Sequence, residues 1–264
     1  MIPNNPIGIL DSGVGGLTVL KNIVSLLPNE STVFIGDSLN TPYGTKTTEE
    51  IYSFSRKMID FLLEKRVKII VIACNTITVS CLDQLRKDYP GLPIVGTVPV
   101  IKTAVSLTKT KRIGVLSTKR TAESQYQKNL ILSYSDGVHV VNVGTNDLVP
   151  LIEKGICDGE ELEALLRSIL LPFQKEQIDT LALGCTHFPL LQKKIQAILG
   201  TGITLLDSGA AIARQVHRIL LQNNAEALLQ QKASSSFFTT GERAIAKKMT
   251  SETIRMIYYK KIIL

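Results

Sequence analysis

The 264 residues contain no tryptophan, three histidines and four cysteines, and each scarcity excludes something. Cys74, Cys81, Cys157 and Cys185 are too few and too scattered for a disulfide framework and form no C-x-x-C pair, so reduced thiols are expected. His139, His187 and His217 lack the spacing of a zinc site, and no structural or catalytic metal is expected. Apolar runs such as Ile69 to Ala73 are far too short to span a bilayer, and Met1 to Pro6 has no cationic stretch leading into an apolar one. The expectation is a cytoplasmic protein with no membrane partner. No G-K-[ST] occurs, and Thr18 stands where G-x-G-x-x-G would need its third glycine, which excludes the usual nucleotide loops.

What is present is ordinary in bulk. A composition 44% hydrophobic and 20% charged suits one large or two modest domains. The formal charge of +7 comes from dispersed basic residues, apart from Arg243, Lys247, Lys248, Arg255, Lys260 and Lys261. Without aromatic interleaving these read as a solvated surface, and no nucleic-acid partner is expected. A homodimer is left open.

Short β-branched runs ending in Gly, Asp, Asn or Cys alternate with longer amphipathic stretches, the pattern of a parallel sheet covered by helices on both faces. Strands are predicted at Ile7 to Leu10, Thr32 to Ile35, Ile69 to Ala73, Ile94 to Gly96, Ile113 to Leu116, Val138 to Val143, Thr180 to Leu183 and Thr204 to Leu206. Helices are predicted to begin near Gly16, Thr48, Thr76, Ile101, Ser124, Leu148, Glu160, Leu190 and Ala210.

The same unit occurs twice. Ile7-Gly8-Ile9-Leu10-Asp11-Ser12 resembles Ile113-Gly114-Val115-Leu116-Ser117-Thr118, 106 residues on, and Ile72-Ala73-Cys74-Asn75-Thr76 resembles Leu183-Gly184-Cys185-Thr186-His187, 111 residues on. Two pseudo-symmetric, doubly wound α/β domains follow, one from residues 1–97 plus 208–264 and the other from 98–207. Ligands of open parallel sheets sit beyond the carboxyl ends of the strands, so a cleft between facing halves would have Cys74 on one side and Cys185 on the other. A lone cysteine reads more simply as packing, as Cys81 and Cys157 do; two at matched positions of a repeat read as chemistry. Residues suited to a helix start follow each thiol, so its dipoles are expected to favour thiolate. Asp11-Ser12-Gly13-Val14-Gly15-Gly16 closes the first strand with a carboxylate and a turn whose N–H groups can approach an anion. His187, two residues after Cys185, is placed to orient or polarise that thiol.

D-S-G-V-G-G-L-T-V from Asp11, G-D-x-x-x-x-P-Y-G from Gly36, A-C-N-T from Ala73 and G-C-T-H-F-P-L-L from Gly184 occur in the order and spacing of the glutamate racemases, which the chain resembles from Ile7 to Gly241. The resemblance implies a cofactor-independent racemase in which Cys74 and Cys185 are the two acid/base groups, with Asp11 and His187 tuning their proton transfers. It implies that Asp11, Ser12, Tyr43, Gly44, Asn75, Thr76, Thr186 and His187 bind the small-molecule substrate glutamate, with Thr118 and Thr121 adding hydroxyls and Glu153 a further candidate near His187. Two positions depart from the family pattern: Arg120 stands for a glycine and Ile77 for an alanine. Alternative readings are a sister racemase acting on aspartate or another amino acid, and a non-catalytic regulatory protein binding DNA gyrase.

Overall fold

The computed structural model describes residues 1–228, 232–242, 244 and 258–264; Arg243, Lys247, Lys248 and Arg255 of the basic cluster lie outside these. Among the described residues the strands are β1 (Ile7–Asp11), β2 (Thr32–Gly36), β3 (Ile69–Ile72), β4 (Ile94–Gly96), β5 (Arg112–Ser117), β6 (His139–Gly144), β7 (Thr180–Gly184), β8 (Thr204–Leu206), β9 (Ser235–Thr239) and β10 (Tyr258–Lys261). Every pairing is parallel. One sheet runs β10-β9-β2-β1-β3-β4 and the other β6-β5-β7-β8. The sequence repeat is therefore a repeat of topology, since β2-β1-β3-β4 and β6-β5-β7-β8 have the same order.

Between the strands lie α1 (Leu17–Leu26), α2 (Thr48–Glu64), α3 (Asn75–Asp88), α4 (Ile101–Leu107), α5 (Lys119–Glu123), α6 (Gln125–Tyr134), α7 (Leu148–Glu153), α8 (Glu160–Lys175), α9 (Gln192–Leu199) and α10 (Gly209–Gln222). Local chemistry sets their limits. Thr47 and Glu50 form a reciprocal capping box that starts α2, and Ile51, Ser55, Met58, Ile59 and Leu62 make its buried stripe. In the central strands, Ile7, Ile9, Ile69 and Val71 enter one apolar cluster, whereas Leu10, Ile70 and Ile72 enter another. That is the two-residue alternation of a sheet covered on both faces. The first of these clusters continues into Leu116, Leu181 and Leu183 of the second sheet.

The chain leaves the first sheet after β4 and returns after β8. Ser208 donates a 2.8 Å hydrogen bond to the carbonyl of Val98, so the two crossings are fastened to each other. At the base of the first sheet the buried Lys68 Nζ lies 2.6 Å from Glu30 and donates to the carbonyls of Pro3 and Ala225.

Three local expectations need correction. β9 and β10 extend the first sheet beyond β2, where no strand was expected. Cys185 is followed not by an α-helix but by a 3-10 turn, Phe188–Leu191, with α9 behind it. Pro189 in this first turn lacks the N–H that a continuing helix would use. The segment around Arg120 is a short helix, α5, capped by Thr118 Oγ1, which accepts the N–H of Thr121 at 3.3 Å. Arg120 is not among the positive-φ residues, so its backbone needs no glycine.

Candidate active site

The strand ends deliver the chemistry. Asp11 is the last residue of β1, Cys74 caps α3 two residues after β3, and Cys185 follows β7 directly. All three are buried, and Cys74 and Cys185 are close enough for the charge of one to bear on the other. The fold thus brings together one thiol from each sheet.

Their surroundings differ. Cys74 Sγ lies 3.4 Å from the Ser12 hydroxyl. Burial pushes this thiol up to about 12, Asp11 and Cys185 add to the rise, and the Ser12 hydroxyl and the Ile77 N–H oppose it. The helix N-terminus therefore does act on Cys74, but burial outweighs it, and the expected bias towards thiolate is reversed. Desolvation disfavours the charged form of a fully enclosed group by more than one or two N–H dipoles restore. Cys185 Sγ faces His187 Nδ1 at 3.8 Å, and His187 Nε2 lies 2.5 Å from Glu153 Oε1. Burial works against a charge on His187, yet the hydrogen bonds to Cys185 and Glu153 hold it well above the ordinary imidazole value.

Asp11 ties the glycine turn together. Its Oδ2 accepts the N–H groups of Gly13 at 3.2 Å and Gly16 at 2.9 Å, and Thr186 Oγ1 donates to its Oδ1 at 3.3 Å. Burial lifts its carboxyl to about 6, although the charge of His187 and the Gly16 N–H pull it down. The turn leaves no spare room: a Cβ on Gly15 would stand 2.5 Å from His187 Nδ1 and 2.6 Å from Thr186 Oγ1.

The two halves touch at polar atoms. Thr76 Oγ1 lies 3.0 Å from Thr118 Oγ1 and 3.4 Å from Thr121 Oγ1, and Glu153 Oε1 accepts the Val14 N–H at 2.7 Å. The space bordered by Asn75, Thr97, Cys185 and Ser208 measures about 10 Å³, room for about one water at most. Asn75 Nδ2 reaches the Thr97 carbonyl only at 3.5 Å. Tyr43 is buried with its hydroxyl donated to Asp37 at 2.6 Å. Burial and Asp37 together raise that phenol far above its ordinary range, so its hydroxyl is engaged within the protein.

Several supports were not read from sequence. Asp37 gathers Tyr43, Asn40 and Thr240 on one carboxylate, a role hidden because β9, which carries Thr240 to it, was unforeseen. Thr18 bridges the carbonyls of Gly15 and Thr186, and Asn146 backs Gly44 so closely that a Cβ there would lie 2.5 Å from its Oδ1; neither has a sequence signal. Cys81 donates to the Ile77 carbonyl within α3 and is a packing thiol. No group of three or more His, Cys, Asp or Glu among the described residues is arranged to hold a metal ion, and no helix there is long and apolar enough to cross a membrane.

Known proteins resemble the chain in sequence and fold. The chain is 39% identical to a glutamate racemase of Clostridium perfringens over 91% of its own length and 93% of that protein. Its fold superposes on glutamate racemase isoform RacE1 of Bacillus anthracis with a TM-score of 0.89 at 33% identity, covering 99% and 98% of the two chains. For a Francisella tularensis glutamate racemase, solved in complex with D-glutamate, the TM-score is 0.84 at 29% identity, covering 99% and 98%. Residues 7–216 match the family described as Asp/Glu/Hydantoin racemase, and with that match and these relatives the chain belongs to that family.

Proposed function

We propose that the protein interconverts L- and D-glutamate by two-base proton transfer between Cys74 and Cys185, without a cofactor, in a cytoplasmic setting where D-glutamate supplies peptidoglycan. The observation that carries this reading is the equivalence of the two thiols, each at the end of the third strand of its four-strand unit and each beside a different polar partner. Racemisation needs a base on one face of the α-carbon and an acid on the other. In the direction from L-glutamate, Cys185 as thiolate takes the α-proton and Cys74, held as the thiol by burial, returns one to the opposite face. The reverse direction exchanges the two states. Positioned acid–base groups of this kind contribute about 10²–10⁴-fold each.

In this reading His187, kept cationic by Glu153, serves proton transfer at Cys185, and Asp11 serves it beside Cys74. Asn75, Thr76, Thr118, Thr121 and Thr186 donate to the substrate's carboxylates and Ser12 and the backbone at Gly44 complete the grip, in a site from which water is excluded. Residues 1–97 with 208–264 and residues 98–207 act as two domains that must part to admit an amino acid. In deuterated water each product molecule should gain deuterium at the α-carbon while recovered substrate stays unlabelled at early times. Near wild-type racemisation by Cys74→Ser or Cys185→Ser, faster turnover of aspartate, or strict dependence on pyridoxal phosphate would sink the reading; Cys81→Ser should stay active.

A further inference from the structure

A large opening near the site lies not at the thiols but at the outer edge of the seam between the halves. There a cavity of about 540 Å³ is bordered by Thr48 and Ser80 from one half and by Lys119, Arg120, Glu123 and Asn146 from the other. It reaches the active site through two of its walls. Gly44 lines it and backs onto Thr118 as well as Asn146, and Arg120 is one residue from Thr121, whose hydroxyl faces Thr76.

Arg120 is incompletely coordinated. One guanidinium nitrogen donates to Thr48 Oγ1 across the seam at a long 3.3 Å, while its Nε is shut off from solvent with no hydrogen-bond partner, as is the Ser80 hydroxyl on the facing wall. A guanidinium presents a planar fork of donors matched to a carboxylate, and donors enclosed without acceptors are costly to leave unpaired. Lys119 adds a second positive charge, and Glu123 is the single opposing carboxylate among the residues bordering the cavity.

We propose that this cavity is an outer station for a small dicarboxylate, in which Arg120 and Lys119 hold a carboxylate of the entering substrate before the halves part. The proposal rests on the glutamate racemase reading and adds to it a second carboxylate site outside the thiol pair. Arg120 gives up Thr48, its partner in the other half, for the arriving carboxylate, so capture loosens the seam at the point of entry. A station of this kind acts on encounter and leaves the chemical step alone.

The test is charge-following kinetics. At about 10 mM ionic strength, where the screening length is about 30 Å, Arg120→Gln should lower kcat/KM for both enantiomers by ~3–10-fold with kcat within about twofold. The loss should be equal for the two because their equilibrium constant is unity. It should shrink at high salt. Lys119→Gln should follow in the same direction, Glu123→Gln should move kcat/KM the opposite way, and Arg120→Lys should recover most of the loss. Thr48→Ala, which removes the seam contact but no charge, should match or exceed wild type. A readout independent of turnover is the Arg120 Nε–H signal in ¹⁵N NMR, identified by its absence from Arg120→Gln, which should shift saturably on titration with glutarate. Wild-type kcat/KM and salt dependence in Arg120→Gln would overturn the proposal and leave the two-thiol reading untouched. So would Thr48→Ala and Arg120→Lys both as impaired as Arg120→Gln, which makes Arg120 a latch. If the wild-type protein is inert to glutamate, the two-thiol reading falls, and the outer station is decided by the NMR titration alone, an unmoved signal overturning it.

Discussion

Replacing Asp11 by asparagine should stabilise the protein at neutral pH while impairing it. Asp11 is fully buried and its carboxyl is lifted from 3.8 to about 6. Because the folded-state value lies above the unfolded one, the native state binds more protons than the unfolded state between these two values, and stability falls as pH rises through that window. Below about 3.8 the residue contributes no penalty; above about 6 the penalty is complete. Two pKa units at 1.36 kcal/mol each amount to about 3 kcal/mol at pH 7.5 and about 1.5 kcal/mol at pH 5. Asparagine keeps the shape and one acceptor for the Gly13 and Gly16 N–H groups but carries no charge to desolvate. Asp11→Asn should therefore gain about 3 kcal/mol in urea unfolding at pH 7.5, roughly 6–12 °C in Tm for a chain near this size, and only about half of that at pH 5. Its kcat should fall more than its KM rises. A variant destabilised by the same amount at both pH values would refute the reasoning, since it would mean that Asp11 acts as a structural hydrogen-bond acceptor and not as a buried charge.

Glu153→Gln removes the carboxylate that raises the His187 imidazole; a hydrogen bond to a charged group is worth about 1.5–3 kcal/mol, so kcat should fall roughly 10–150-fold. The loss should fall on the Cys185 side, seen as a larger primary isotope effect with α-deuterated L-glutamate and a smaller one with the D enantiomer; equal changes in both would contradict the assignment. Gly15→Ala would push a methyl into His187 and Thr186 and should cost about a hundredfold in kcat/KM, as a misplacement near 1 Å does. Wild-type kinetics there would show that the turn yields freely. Lys68→Met strands the buried Glu30 carboxylate and should cost about 3–5 kcal/mol in urea unfolding with kcat and KM unchanged, whereas an unaltered midpoint would show that the pair contributes nothing net.

The sequence was most legible where chemistry is local. Strands such as Ile69–Ile72 and their following helices are marked by short apolar runs and by caps, and the matched Cys74 and Cys185 segments exposed the duplication. β9 was not legible because Ser235–Thr239 carries no alternating pattern. Phe237 and Phe238 are adjacent and point to opposite faces, one stacked 5.0 Å from Phe34 and the other edge-on 4.9 Å from Phe61. Its place beside β2 depends on a partner some two hundred residues away in the chain. The thiolate expectation for Cys74 failed for a related reason: the helix dipole is visible in sequence, but the depth of burial that defeats it is set by the packing of both halves. Arg120 stood out as a departure from a glycine pattern, yet whether it disturbed the loop depended on a backbone angle that sequence does not give.

The bond from Ser208 to Val98 has a mechanical meaning. Two strands of chain that cross a boundary at separate points would let the halves rock and shear; fastened side by side, they make a single pin. Displacement about a pin grows with distance from it, so any swing of the halves would shift the groups beside Ser208 least. Cys185, which lines one small space together with Ser208, would then be among the groups least displaced if the halves part.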